Sequence, residues 1–217
     1  MQPLFHDLSG QWVLVFGGGP VGARKARRFA READVLVISP AFSDEDFGDA
    51  HQVRAAPDPT EVAVWFERTE PTLAVAATDD PALNAAIAET ARTRSVLINR
   101  TDTHGSPGPN GVVTPATVRD DPVVVAIATG GTSPALSREL RRRLESELAG
   151  AGKMAELTGD LRESLQDRDL STSQRHAAIR AVVRSQAVWT ALRTGDSNPR
   201  NEAERVIEET LQGADSR

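Results

Sequence analysis

Three glycines, at positions 17, 19 and 22, constrain this chain more than any other feature of its 217 residues. They follow Trp12-Val13-Leu14-Val15-Phe16, an apolar run of β-forming residues with the length of a buried strand. Beyond them a helical stretch opens with proline and carries Val21, Lys25, Arg28 and Phe29 at helical spacing. A strand running through Gly17-x-Gly19-x-x-Gly22 into a helix is the context in which this spacing binds a dinucleotide. Gly17 allows the tight turn, Gly19 lets the backbone approach a pyrophosphate, and Gly22 allows close helix–strand packing. The helix that opens at Pro20 and Val21 adds backbone donors and the positive end of its dipole. Gly17, Gly19, Pro20, Val21 and Gly22 are therefore the expected pyrophosphate cradle.

Strands and helices then alternate. Asp34–Ser39 reads as a second strand ended by Pro40, with a further short strand around His51 to Arg54 and a short helix including Val62 to Phe66. Leu73–Ala77 reads as another buried strand, Pro81 opens a helix to about Arg92, and Val96–Ile98 is strand again. This alternation predicts an α/β domain of Rossmann type over residues 1–111, a parallel sheet with helices on both faces. Such sheets bind ligands at the carboxyl ends of their strands, which singles out Ser39, Thr78 and Asp79 as cofactor contacts. One of Thr78, Asp79 and Asp80 is expected to cap the next helix. The second strand ends on Ser39-Pro40, where a carboxylate would hold the ribose 2′-hydroxyls and repel a 2′-phosphate. Without that carboxylate the residues do not select NAD over NADP. Asp44 and Asp46 are substitute acids in the following loop, although a solvated loop charge is the commoner role.

Residues 103–111, rich in Gly and Pro, break the pattern. Val112–Thr114 and Val123–Ala128 read as two antiparallel strands joined around Arg119–Pro122. From Ser133 the chain is helical. Met154, Leu157, Leu161 and Leu165, and then Ile179, Val182, Val183, Gln186 and Trp189, form stripes expected to pack helix on helix. The expected organisation is a Rossmann domain over 1–111, a small α+β region over 112–150 and a helical C-terminal domain over 151–217.

A net charge of −6 argues against a nucleic-acid partner. The chain has no cysteine, and its four histidines are scattered, so no metal site is expected. No apolar run approaches the ~20 residues that span a bilayer, and the N-terminus lacks the pattern of a signal peptide. A cytoplasmic protein without a membrane partner is expected.

Asn99-Arg100-Thr101-Asp102, then Thr114-Pro115-Ala116, then Ala128-Thr129-Gly130-Gly131-Thr132-Ser133-Pro134 follow in order after the glycine loop. With the opening Pro3-Leu4-Phe5 and the run Gly17 to Ala26, this order resembles the precorrin-2 dehydrogenase/sirohydrochlorin ferrochelatase family, from about residue 3 to residue 148. The resemblance implies NAD-dependent oxidation of precorrin-2 to sirohydrochlorin by a homodimer, with 112–150 as the dimerisation region, and in many members Fe2+ insertion in the same pocket. The family's carboxylate, general base and participant in chelation, falls on Asp102. The turn Thr129, Gly130, Gly131, Thr132, Ser133 falls where the tetrapyrrole binds, and Arg100 is a candidate partner for its carboxylates. Arg119 is a second candidate, while Arg138, Arg141, Arg142 and Arg143 mostly read as a solvated face.

The stretch between Asp102 and Pro115 is longer than the family pattern and lacks its apolar-aromatic segment, which brings His104 under consideration as a site residue. A lone loop histidine is more often simply exposed. The competing reading of the whole chain is a nucleotide-sensing regulatory module without catalysis.

Overall fold

The computed structural model describes residues 2–103 and 107–215. Its first sheet has five parallel strands: β1 (Trp12–Phe16), β2 (Asp34–Ser39), β3 (His51–Arg54), β4 (Leu73–Ala76) and β5 (Leu97–Arg100), in the order β3-β2-β1-β4-β5. The crossovers contain α1 (Pro20–Phe29), α2 (Val62–Thr69) and α3 (Pro81–Thr93). β1 lies at the centre, with Leu14 level with Leu36 of β2 and Ala74 of β4.

The unbroken apolar run of β1 follows from burial on both faces. Val13 and Val15 join Val35, Val37, Val75 and Phe47 against Ala23 and Ala26 of α1. Leu14 and Phe16 join Ile38 and Ala76 against Val62 and Phe66 of α2 and Leu83, Ile87 and Ala91 of α3. Phe16 and Phe66 stack with ring centres 6.4 Å apart. Burial of each such large side chain contributes about 1.5–3 kcal/mol. The small residues Gly22, Ala23 and Ala26 form the buried side of α1.

The chain divides into two compact units, Met1–Thr114 with Gly130–Thr132, and Pro115–Thr129 with Ser133–Arg217. The second unit opens with an antiparallel pair, β6 (Ala116–Asp120) and β7 (Val123–Ile127). Val112–Thr114, expected as the first strand of that pair, is not a strand. Val112 instead donates its backbone N–H to Ile98 O (2.8 Å) and accepts from the Asn99 side chain (2.8 Å), so it lies along β5. The hairpin partner begins after Pro115.

Helices α4 (Pro134–Glu147), α5 (Ala151–Gln166), α6 (Thr172–Arg184), α7 (Gln186–Thr194) and α8 (Pro199–Asp215) complete this unit. Met154, Leu161 and Leu165 of α5 pack with Ile179 and Val182 of α6, Val188 and Leu192 of α7, and Ala203 and Ile207 of α8. The stripe expected through Val183 and Gln186 breaks at Ser185, whose hydroxyl caps α7 by accepting from Val188 N–H. The chain therefore changes direction there, and Val183 and Gln186 are exposed. Among the described residues no helix is long and apolar enough to cross a membrane.

Candidate dinucleotide and substrate site

At the carboxyl end of β1 the glycines serve different purposes. Gly17 has φ +119°, and a β-carbon there would stand 2.2 Å from the carbonyl oxygen of Ala77, just beyond β4. One on Gly22 would stand 1.9 Å from the carbonyl oxygen of Gly17. Around Gly19 nothing lies within 4 Å of that position, and this residue starts α1 without any side-chain cap. Gly17 and Gly22 are thus required by packing, whereas Gly19 borders open space at an uncapped helix start. Those conditions suit a pyrophosphate.

Gly18 escaped the sequence reading. A β-carbon on it would meet Ala41 O at 2.2 Å and Ser39 Cβ at 2.8 Å. This crowding comes from the loop after β2, which folds back so that Ser43 N–H donates to Gly18 O (2.8 Å). Ser39 supports the fold-back by donating its hydroxyl to Ala41 O (2.7 Å). The Ser43 hydroxyl is buried with no hydrogen-bond partner. An orphaned polar atom next to the glycine loop is a further feature that fits a polar ligand there. No glycine spacing or strand periodicity points to Ser43. Asp46 is engaged within its own loop, accepting from Gly48 N–H (2.7 Å) and lying 3.6 Å from Arg27, while Asp44 is exposed.

Beside the ends of β4 and β5 lies Asn84, a buried residue of α3. Its carboxamide oxygen accepts from the Thr78 hydroxyl (2.8 Å) and N–H (3.3 Å), and its Nδ2 donates to Thr78 O (2.9 Å). The same side chain lies close enough to Asp102 to favour its ionised form. Asp80 is the cap of α3, accepting from Ala82 and Leu83 N–H, and Asp79 is left exposed. Arg100 grips Asp102 at two points, Nε to Oδ1 at 3.0 Å and Nη2 to Oδ2 at 2.7 Å. This guanidinium, first among the causes, holds the Asp102 carboxyl below the usual carboxylate range. Asp102 is therefore ionised at neutral pH, and the guanidinium weakens its affinity for a proton.

Lys25 of α1 is largely buried and donates to the Thr114 hydroxyl (2.9 Å). Burial, then the charges of Arg28 and Arg24, push its pKa down to about 8. The helical spacing noted at Lys25 gave no hint of this environment, because Thr114 reaches it across 89 residues of chain.

The turn from Thr129 to Ser133 is built on Gly130 and Gly131, both left-handed at φ +62° and +80° and both without neighbours at the β-carbon position. Thr129 Oγ1 donates to Ser133 O (3.1 Å) and lies 3.0 Å from Ser137 Oγ, while the Ser133 hydroxyl caps α4. Of the arginines on α4, Arg142 and Arg143 both pair with Glu139, and Arg141 pairs with Glu145. Arg119 lies 3.9 Å from Asp121. His104 falls outside the described residues. Among the described residues no group of three or more His, Asp or Glu is arranged to hold a metal ion.

The profile of the family described as putative NAD(P)-binding matches residues 4–115. The chain is 34% identical to a precorrin-2 dehydrogenase of Methanosarcina barkeri over 194 residues, covering 86% of this chain and 84% of that protein. It is 35% identical to a siroheme synthase of Azotobacter vinelandii over 216 residues, 98% of this chain, but spans only 44% of that relative's length. A solved structure described as SirC, precorrin-2 dehydrogenase, has the same fold, with a TM-score of 0.67 at 21% identity over 96% of this chain and 100% of that one. With a dinucleotide-type glycine loop between β1 and α1, and a relative matched over most of its length, the chain belongs to the NAD(P)-binding precorrin-2 dehydrogenase family.

Proposed function

We propose that this chain catalyses the NAD(P)-dependent oxidation of precorrin-2 to sirohydrochlorin, with NAD as the expected dinucleotide and the cytoplasm as its compartment. The observation that carries this reading is Asp102, an ionised carboxylate close to Asn84, which bonds the strand end beside the glycine loop. Its relatives' names support the substrate.

Oxidation removes two electrons and two hydrogens from the macrocycle. The dinucleotide, when bound, supplies the hydride acceptor. Gly19 and the start of α1 would hold its pyrophosphate, and Thr78 and Asp79 lie at the neighbouring strand end for its ribose groups. The second hydrogen leaves as a proton, and Asp102 accepts it before solvent does. Arg100 and the Thr129–Ser133 turn offer donors for the carboxylates around the macrocycle. Insertion of Fe2+ into the product would require the pyrrole protons to be removed as well, and Asp102 is suited to that step.

A homodimer is supported by the second unit. α4 has no buried residue, Leu136 is 49% exposed, and the valines of β7 are only half-buried in a two-stranded sheet. Such a pair is marginal unless its apolar face is covered, and a second copy would cover it.

The test is the purified chain with precorrin-2 and NAD or NADP, read by the absorbance of sirohydrochlorin, followed by Fe2+ or Co2+ in the same cuvette. Turnover is expected. Dinucleotide binding by a folded chain without turnover would overturn the enzyme in favour of a regulatory module.

A further inference from the structure

The grip of Arg100 on Asp102 creates a conflict with the role proposed for that carboxylate. A general base works best when its proton affinity approaches the operating pH, and a bidentate guanidinium lowers that affinity. Among the described residues, Arg100 of β5 and Asn84 of α3 are the side chains that bear on Asp102, and Arg100 is the charged one of the two. The pair is not sealed. The side chains of Arg100 and Asp102 are 28% and 25% exposed, so their outer edge remains open to a ligand. The backbone beneath is fixed, because Thr101 donates both its N–H (3.0 Å) and its hydroxyl (3.2 Å) to Ala76 O. Side-chain motion is therefore what can part the two ions.

We propose that Arg100 is a latch released by the substrate: it holds Asp102 in the free protein, and turns to a carboxylate of the incoming macrocycle, leaving Asp102 free to accept the proton. This rests on the functional reading above. The planar guanidinium fork fits any carboxylate equally and never loses its charge. A partly exposed ion pair has little net strength, so exchanging one carboxylate for another is nearly balanced. The exchange binds a carboxylate-bearing substrate and raises the proton affinity of the base in one movement. A molecule lacking a carboxylate at that position would leave Asp102 latched.

The experiment compares wild type, Arg100→Gln and Arg100→Lys in pH profiles of kcat and kcat/KM with precorrin-2. Removing Arg100 should raise KM about tenfold or more, with the smaller share of the loss falling on kcat. The acid limb of kcat/KM, which reports the free protein, should move to higher pH in Arg100→Gln. The acid limb of kcat should lie at the same pH in both, because Arg100 has already left Asp102 in the wild-type complex. Arg100→Lys, retaining the charge but not the fork, should fall between and keeps the test open if the glutamine variant folds poorly. A loss confined to kcat with KM unchanged would overturn the latch, as would a kcat limb displaced upward by Arg100→Gln. Wild type that binds dinucleotide without turnover would instead overturn the functional reading, and the latch with it.

Discussion

A β-carbon on residue 22 would stand 1.9 Å from the carbonyl oxygen of Gly17, so the first turn of α1 rests directly on the backbone it has just left. A β-carbon on Gly19, two residues from Gly17, would meet no other part of the protein within 4 Å. The same loop thus contains a glycine demanded by packing and one that packing leaves free.

Two alanine substitutions separate these roles. Gly22→Ala should lower stability by about 1–3 kcal/mol through overpacking and abolish dinucleotide binding. Gly19→Ala should melt like wild type, since its backbone conformation (φ −79°) suits any residue, yet weaken dinucleotide binding tenfold or more. Thermal melts and a fluorescence titration with NADH read both effects. Unchanged affinity in Gly19→Ala would mean that the pyrophosphate binds elsewhere.

Lys25 makes stability depend on pH. Its folded pKa is about 8, below its ordinary 10.5, so between those values the unfolded chain binds the extra proton. Stability therefore rises with pH across that window, and the ammonium costs on the order of 1–3 kcal/mol below it. Wild type should gain on Lys25→Met between pH 8 and 10.5 in denaturant titrations. A constant difference between the two proteins would show that the ammonium is well solvated.

Asp102→Asn removes the proton acceptor while keeping the shape. Turnover should fall about 10²–10⁴-fold, with the dinucleotide dissociation constant unchanged within about threefold. Single-turnover absorbance with precorrin-2 measures the first and NADH titration the second. Full turnover in this variant would remove Asp102 from the mechanism.

Asn84 is 1% exposed and bears on Thr78 and Asp102 together. Asn84→Ala strands the backbone and side-chain donors of Thr78, which should cost about 1–3 kcal/mol. The variant should also lose turnover beyond what its stability explains, measured well below its melting temperature. Wild-type turnover would show that Asp102 needs no such support.

Much of the first unit was legible because its cause is local. A strand covered on both faces must be apolar throughout, as Val13–Phe16 is, and a tight turn into a helix requires glycine at defined steps. Asp80 follows the same logic as a cap one residue before Pro81. Other features depend on segments that meet only after folding. Val112 looked like a strand residue, but its partner is the edge of β5 and not β7. No local pattern marks Gly152 in α5, yet a β-carbon there would meet Asp121 O at 2.1 Å.

The sequence by itself determined the parallel sheet, the glycine loop and the helical second half, since periodicity and backbone sterics act over neighbouring residues. Tertiary structure alone decided that Gly18 is crowded by the loop after β2, that Asn84 bears on both Thr78 and Asp102, and that Lys25 is desolvated beside Thr114. Each of these depends on which distant groups share a small volume, and desolvation, crowding and hydrogen bonding respond to that proximity whatever the separation along the chain.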